Sequence, residues 1–340
     1  MNIQCSFCHA LHWKAEALTS STINNPKFGM CCYQGKISLP KLHAIPPDLF
    51  DLYIGNNPDS SAFHQLILYY NNSLAMTSVG KTTDHTVNQD GYGPYSYILR
   101  GKLIYQAGTI LPLPNEDIVY SQLYIHDTDH ALDHCLNQHN ARNRLSPLNR
   151  QTLNLLQGIL YQSHPAVQFY QQALELTTTM TPDQQCRISL HFDQNCDRCR
   201  YNLPDATTRE IAVIVIGNGE QFTGPQDIIV YRRNHAQRIF RISDSHPLYP
   251  SLRYVLLFPT GQMGWYPRIP LNGVEDEVDQ AAPRKRKYVS MEEYFRYRFH
   301  IRPAHFESNH LFLAGKLFQA YVCESWAVAE QQCLAQLAAI

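Results

Sequence analysis

The chain has 340 residues, 44% hydrophobic and 17% charged, enough for one large or two ordinary folded domains and not the composition of a disordered chain. Its formal net charge is −1, so a nucleic-acid partner would be held by a local patch and not by the field of the whole molecule. No apolar run approaches the roughly 20 residues that cross a bilayer, and MNIQCSFCHALHWKAE lacks the basic start and apolar core of a secretion signal.

Ten cysteines, several close in sequence, read as thiols or metal ligands in a reducing compartment, which points to an intracellular chain. Residues 1–43 stand apart. Cys5 and Cys8 form a Cys-x-x-Cys knuckle, and the adjacent pair Cys31 and Cys32 follows. Thiolates suit tetrahedral zinc, and so short a segment needs a metal to close a core of its own. Adjacent cysteines point in different directions unless the backbone turns tightly, so the fourth ligand stays open, with His9, His12 and His43 as the alternatives. The plainer reading is buried cysteines acting as small hydrophobes.

Residues 62–125 are expected to form strands and turns, as a compact antiparallel sheet or small barrel. Tyr92, Tyr95, Tyr97 and Tyr105 would then stack on bases or, more plainly, pack on a half-buried sheet. Gly80-Lys81-Thr82 is not a phosphate loop, because Ala75 stands where the first glycine belongs and no helix start follows. His126, His130 and His134 fall at i, i+4 and i+8 and would share one helical face, with Asp127 and His139 nearby. That spacing raises a rival reading, a metal-dependent hydrolase, although the stretch is polar on every side.

Ser146-Pro147 predicts a helix start, and Ser163 with Pro165 a second, giving an antiparallel helical pair to about Leu176. Cys186, His191, Cys196 and Cys199 in the polar stretch 177–200 are weak candidates for a second zinc site. The run AVIVIG (212–217), opened by Glu210-Ile211-Ala212, and the run 227–231 are near-continuously apolar and predict central strands covered on both faces. Tyr254 to Phe258, bracketed by Pro250, Pro259 and Gly261, predicts a buried strand with fixed turns. Beyond it, Arg284, Lys285, Arg286 and Lys287 form a basic loop. Ser290-Met291-Glu292-Glu293 is a capping box that starts a helix to about Ile301. On that helix Met291, Phe295 and Phe299 make an apolar stripe. Tyr294, Arg298 and Arg302 make another, suited to phosphates and bases or to covering apolar neighbours. A last helix over 309–338 would bury Leu311, Ala314, Phe318, Val322, Ala329 and Cys333.

Several of these pieces, in order, resemble the N-terminal region of Helitron rolling-circle transposases. The pieces are Cys5-x-x-Cys8 with Trp13 and Glu16, Cys31-Cys32, and Gly35-Lys36-Ile37-Ser38-Leu39-Pro40. Arg200-Tyr201-Asn202-x-Pro204, Glu210-Ile211-Ala212 and Asp227-Ile228 follow, then Pro-Leu-Tyr-Pro (247–250), Leu-Leu-Phe-Pro (256–259) and Gly261-x-x-Gly264-Trp265. Ser290-Met291, Tyr294 to Arg298, Gly315 to Gln319, Trp326 and Glu330 complete the series. The resemblance implies a DNA-binding module in the nucleus, holding single-stranded or distorted transposon-end DNA. In that family the nuclease, with its His-hydrophobic-His motif, and the helicase lie downstream. Neither motif occurs in these 340 residues, so no catalytic residue is assigned and those activities would sit in a separate chain. A truncated or domesticated copy, or an inert relic, fits the same pattern. The expected fold is α+β. It has a zinc-knuckle N-terminus (1–43) and a core over 44–270 with a mixed or antiparallel sheet, strand-rich at 62–125 and 200–265, helical at 146–176. A basic loop and helices, including a long C-terminal helix, fill 271–340.

Overall fold

The computed structural model describes residues 1–80, 104–107, 124, 132–137, 147–178, 187–192, 211–216, 228–231, 240–242, 246–273, 286–303 and 310–338. The fold is α+β, and the chain divides into two compact units, Met1–Ile54 with Gly264–Ile340, and Gly55–Met263. The segments 1–43 and 271–340, expected to be separate, lie in the same unit.

In the first unit, strands β1 (Ile3–Gln4) and β2 (Leu11–His12) pair antiparallel, and the Cys5–Cys8 knuckle is the turn between them. Helix α1 (Pro47–Ile54) has proline in its first turn and buries Leu49, Leu52 and Tyr53. Helix α7 (Met291–Phe299) starts at the expected capping box, with Ser290 Oγ accepting from the Glu293 amide and Glu293 reaching back to the Ser290 amide. A 3-10 turn (His310–Ala314) precedes helix α8 (Lys316–Ala338), and Gly315 between them sits at a φ of 51°. That left-handed residue resets the helical phase. Leu317, Tyr321, Val328 and Ala329 are therefore the buried apolar positions of α8, Phe318 and Val322 are half-buried, and Cys333 is exposed. The core joins α7 to α8 through ring contacts. Phe295 stacks on Phe299 at 5.7 Å, and Tyr321 meets both rings edge-on.

The second unit opens with helix α2 (Pro58–Leu74), where strands were expected. Asn57 caps it by accepting from the Ser60 amide at 2.8 Å, and Phe63, Ile67, Tyr70 and Leu74 line its buried face. Strand β3 (Ser78–Gly80) pairs with β4 (Ile104–Ala107), which pairs with β8 (Phe240–Ile242). Strand β5 (Arg187–Phe192) lies between β6 (Ile211–Ile216) and β7 (Ile228–Tyr231), and every described pairing is antiparallel. The two most apolar strands, expected to be central, thus flank the more polar β5 in this sheet. A short helix α3 covers 132–137. Helix α4 (Arg150–Ser163) is capped by Asn149, not by Ser146, and meets helix α5 (Pro165–Thr178) through His164 alone. One residue is shorter than the roughly two to five that reverse a helical hairpin.

The stretch expected as a buried strand at 254–258 is buried but is not a strand. Helix α6 (Tyr249–Arg253) fills the position before it, and turns follow. A strand would need neighbours for its amides and carbonyls. Here fully buried Asn71 supplies them, giving Nδ2 to the Arg253 carbonyl at 2.9 Å and accepting from the Leu256 amide at 3.3 Å. Ser163 Oγ donates to the Pro259 carbonyl at 2.9 Å. At Gly261, with φ +66°, a Cβ would fall 2.5 Å from Pro165 Cδ, so only glycine lets the turn lie against α5.

His164 gives this unit an acid-sensitive point. Its Nε2 bonds the Ser251 carbonyl at 3.1 Å while Nδ1 accepts from the Ala166 amide at 3.2 Å, so the neutral ring is fully used. Burial pushes its pKa down from 6.5 to about 4, with the Ser251 carbonyl opposing. The unfolded state then binds the extra proton first. This share of stability is present above pH 6.5 and is lost as pH falls towards 4, roughly 3 kcal/mol in all. Protection factors of α4 and α5 amides, taken relative to the intrinsic exchange rate at each pH, should fall over that window in the wild type, and less so in His164→Gln. Identical pH profiles would contradict the assignment.

Candidate metal centre

Two turns of backbone bring four sulfurs together. The first is Cys5 to Cys8, closed by the His9 amide on the Cys5 carbonyl at 3.0 Å and the Cys5 amide on the Ala10 carbonyl at 2.9 Å. His9 takes a left-handed φ of 59°, which turns the chain back into β2. The second turn follows Cys32. Tyr33, Gln34 and Gly35 have φ of 48°, 53° and 86°, and the Gly35 and Ile37 amides both bond the Cys32 carbonyl. This tight turn directly follows the adjacent cysteine pair and folds back onto Cys32. Gly35 is needed there, since a Cβ would come 2.7 Å from Phe7 Cδ1.

The result is one cluster. The Sγ atoms of Cys5, Cys8, Cys31 and Cys32 all lie within 4.8 Å of one another, with Cys5 and Cys31 each 3.8 Å from Cys32. Cys5, Cys31 and Cys32 are buried and Cys8 is half-buried. Among the described residues this is the group able to hold a metal ion, and it contains no histidine. The alternatives have other places. His9 provides the left-handed turn. His12 stacks on Phe28 at 3.9 Å and meets Glu16 through Nδ1 at 2.6 Å. The pKa of His43 is lowered by burial and by the Arg298 charge.

Four thiols this close cannot ionise independently. Hydrogen bonds from Cys31, Cys32 and Cys8 hold Cys5 far below the usual thiol range. Those from Cys31 and Cys32 bring Cys8 down to about 7. Cys31 is pushed up by Cys32, Cys5 and Cys8, as the donor in the cluster. Cys32 is favoured by Cys31 but raised overall by Cys5, Cys8 and burial. A divalent cation held by the four sulfurs would remove this mutual opposition. The Gly35 amide adds a hydrogen bond to Cys32 Sγ at 3.2 Å, of the kind that steadies thiolate ligands.

Helix α7 supports this centre from behind. Arg302, 6% exposed, gives Nε to the Cys8 carbonyl at 3.0 Å and Nη1 to the Tyr297 and His300 carbonyls at 2.9 and 3.3 Å. Its guanidinium sits 3.9 Å from the centre of the Tyr297 ring. Arg298, 5% exposed, gives Nη1 to the Pro40 carbonyl at 2.7 Å and lies over Tyr294. The stripe of Tyr294, Arg298 and Arg302, read from the sequence as a nucleic-acid surface, therefore faces inward. Its arginines complete backbone carbonyls at the end of α7 and in the knuckle segment.

No protein-family model and no curated protein matches the chain.

Of the basic loop, Arg286 and Lys287 are described, while Arg284 and Lys285 lie outside the described residues. Arg286 is half exposed, bonds Glu293 at 2.6 Å, and sits 5.5 Å from the centre of the Tyr33 ring. His134 falls in α3, whereas His126, His130 and His139 lie outside the described residues. The same holds for Tyr92, Tyr95 and Tyr97, and for Cys186, Cys196 and Cys199, with His191 placed in β5. Tyr105 is in β4, opposite Val79 and Ile242. Sequence reasoning passed over Asn272, whose amide and Nδ2 bond the Lys36 and Gly35 carbonyls at 2.8 and 3.3 Å. No local pattern announces a contact across 237 positions.

Proposed function

We propose that the chain is a nucleic-acid-binding module similar to the N-terminal region of Helitron transposases, folded around one structural zinc ion. The observation that carries this reading is the convergence of Cys5, Cys8, Cys31 and Cys32. Zinc–sulfur bonds of about 2.3 Å at tetrahedral angles place sulfurs about 3.8 Å apart, and two of the pairs stand at 3.8 Å. Four protein thiolates leave no open coordination position, which is the pattern of a structural and not a catalytic site. Both cysteine pairs are also among the pieces shared with the transposase region. The segment they close carries Lys14, Lys27, Lys36 and Lys41 against a single carboxylate, Glu16, in a chain of net charge −1. Local basic charge of this kind is what a nucleic-acid partner requires. In this role the module holds single-stranded or distorted transposon-end DNA for a nuclease and helicase, in the nucleus.

The test is binding of purified protein to single-stranded and duplex oligonucleotides at two salt concentrations, with zinc measured on the same sample. About one zinc per chain and binding that weakens steeply with salt are expected. Neutralising Arg284, Lys285, Arg286 and Lys287 should make that salt dependence shallower. A folded, zinc-loaded protein that binds no oligonucleotide would refute the nucleic-acid role.

A further inference from the structure

The turn that aims Cys32 at its partner sulfurs also builds a surface. Tyr33, first of the three left-handed residues, is 44% exposed, and Phe7, whose ring lies against Gly35, is 51% exposed. Two non-glycine residues held at positive φ carry backbone strain of order 1 kcal/mol or more each. The sulfur cluster and the Asn272 bonds to the Gly35 and Lys36 carbonyls maintain it. The rings are thus displayed on a fixed backbone. Lys36 Nζ lies 4.7 Å from the centre of the Tyr33 ring and the Arg286 guanidinium 5.5 Å from it. Arg286 shares its charge with Glu293, whereas Lys36 is exposed and forms no ion pair among the described residues. Gln34, next to Tyr33 in sequence, is exposed as well.

Exposed large rings are expensive in water unless something covers them. What covers these must be compatible with cations lying over the Tyr33 ring. An unstacked base offers a flat apolar face for Phe7 or for what Lys36 and Arg286 leave open of Tyr33, and its phosphate offers the negative charge that Lys36 lacks. A duplex keeps its base faces stacked and cannot use the rings in this way. An apolar peptide would use the rings but would leave Lys36 unmatched.

We infer that Phe7, Tyr33, Lys36 and Arg286 form a stacking platform for single-stranded nucleic acid on the outer side of the metal knuckle. This rests on the nucleic-acid reading above, and it moves the contact surface from α7 to the knuckle.

The experiment uses the full zinc-loaded chain and a fluorescent mixed-sequence DNA single strand, followed by anisotropy over a salt series. Tyr33→Ala should weaken binding about 5- to 150-fold, the range that loss of one base–aromatic stack gives. Tyr33→Phe, which keeps the ring, should bind as the wild type does. Lys36→Ala should reduce the slope of log affinity against log salt by about 0.7, one phosphate's worth on a single strand. Zinc content and tryptophan fluorescence show whether each variant is folded. Should Tyr33→Ala lose zinc, the Lys36→Ala slope decides. Wild-type binding with unchanged Lys36→Ala slope and unchanged affinity in folded Tyr33→Ala overturns the platform while leaving the nucleic-acid role standing. A wild type that binds no strand at either salt concentration overturns both.

Discussion

Stripping zinc, or replacing Cys5 or Cys32 by alanine, is expected to unfold the unit Met1–Ile54 with Gly264–Ile340 while the unit Gly55–Met263 stays folded. The segment 1–43 has few buried apolar side chains of its own besides its cysteines: Ala10, Phe28, Ile37 and Leu39. So small a core cannot offset the conformational entropy of some forty residues at roughly 1–2 kcal/mol each. Metal binding supplies on the order of 10 kcal/mol to such sites, comparable to the whole stability of a domain. Removing one of four ligands should lower zinc affinity by more than the roughly 100-fold that outer-shell changes can reach. The three tryptophans, Trp13, Trp265 and Trp326, all belong to this unit, so their fluorescence reports its unfolding alone. Cys323→Ser, at an exposed thiol on α8, is the control and should change neither zinc content nor the transition. An unchanged fluorescence transition in the metal-free chain would mean that the cluster is a set of packed thiols and no more.

Arg302→Ala should destabilise the same unit by about 3–5 kcal/mol, because it leaves the Cys8, Tyr297 and His300 carbonyls without their shared charged donor. Zinc affinity should fall about 10- to 100-fold with it, since the bond to the Cys8 carbonyl orients the first knuckle. Arg302→Lys should not restore either property. An ammonium cannot present Nε and Nη1 in fixed directions while lying flat on Tyr297. With zinc in excess, oligonucleotide binding by folded Arg302→Ala should equal that of the wild type. The opposite pattern, full stability with weakened binding, would return Arg302 to the surface role that the helical spacing suggested.

The difference between those two roles shows where local reasoning stops. Helical spacing placed Tyr294, Arg298 and Arg302 on one stripe, but spacing does not say what the stripe meets. Arg302 meets a carbonyl 294 positions away, and Arg298 one that is 258 away. Helix α2 was missed for another reason. Its apolar and aromatic residues favour strands, but Asn57-Pro58-Asp59 is a helix start, and Phe63, Ile67, Tyr70 and Leu74 recur at helical spacing. That signal was present and was outweighed by strand propensity, which is the weaker guide.

By itself the sequence determined what depends on neighbours along the chain. It set the capping box at Ser290, the strands at 211–216 and 228–231, and the burial of Tyr254 to Phe258. It also singled out the two cysteine pairs. Only the tertiary structure decided that Cys31 and Cys32 turn to the same point, that Asn71 takes the place of a neighbouring strand, and that Arg298 and Arg302 face inward. Each of these depends on backbone groups distant in sequence, whose hydrogen-bonding needs appear only once the chain has closed around them.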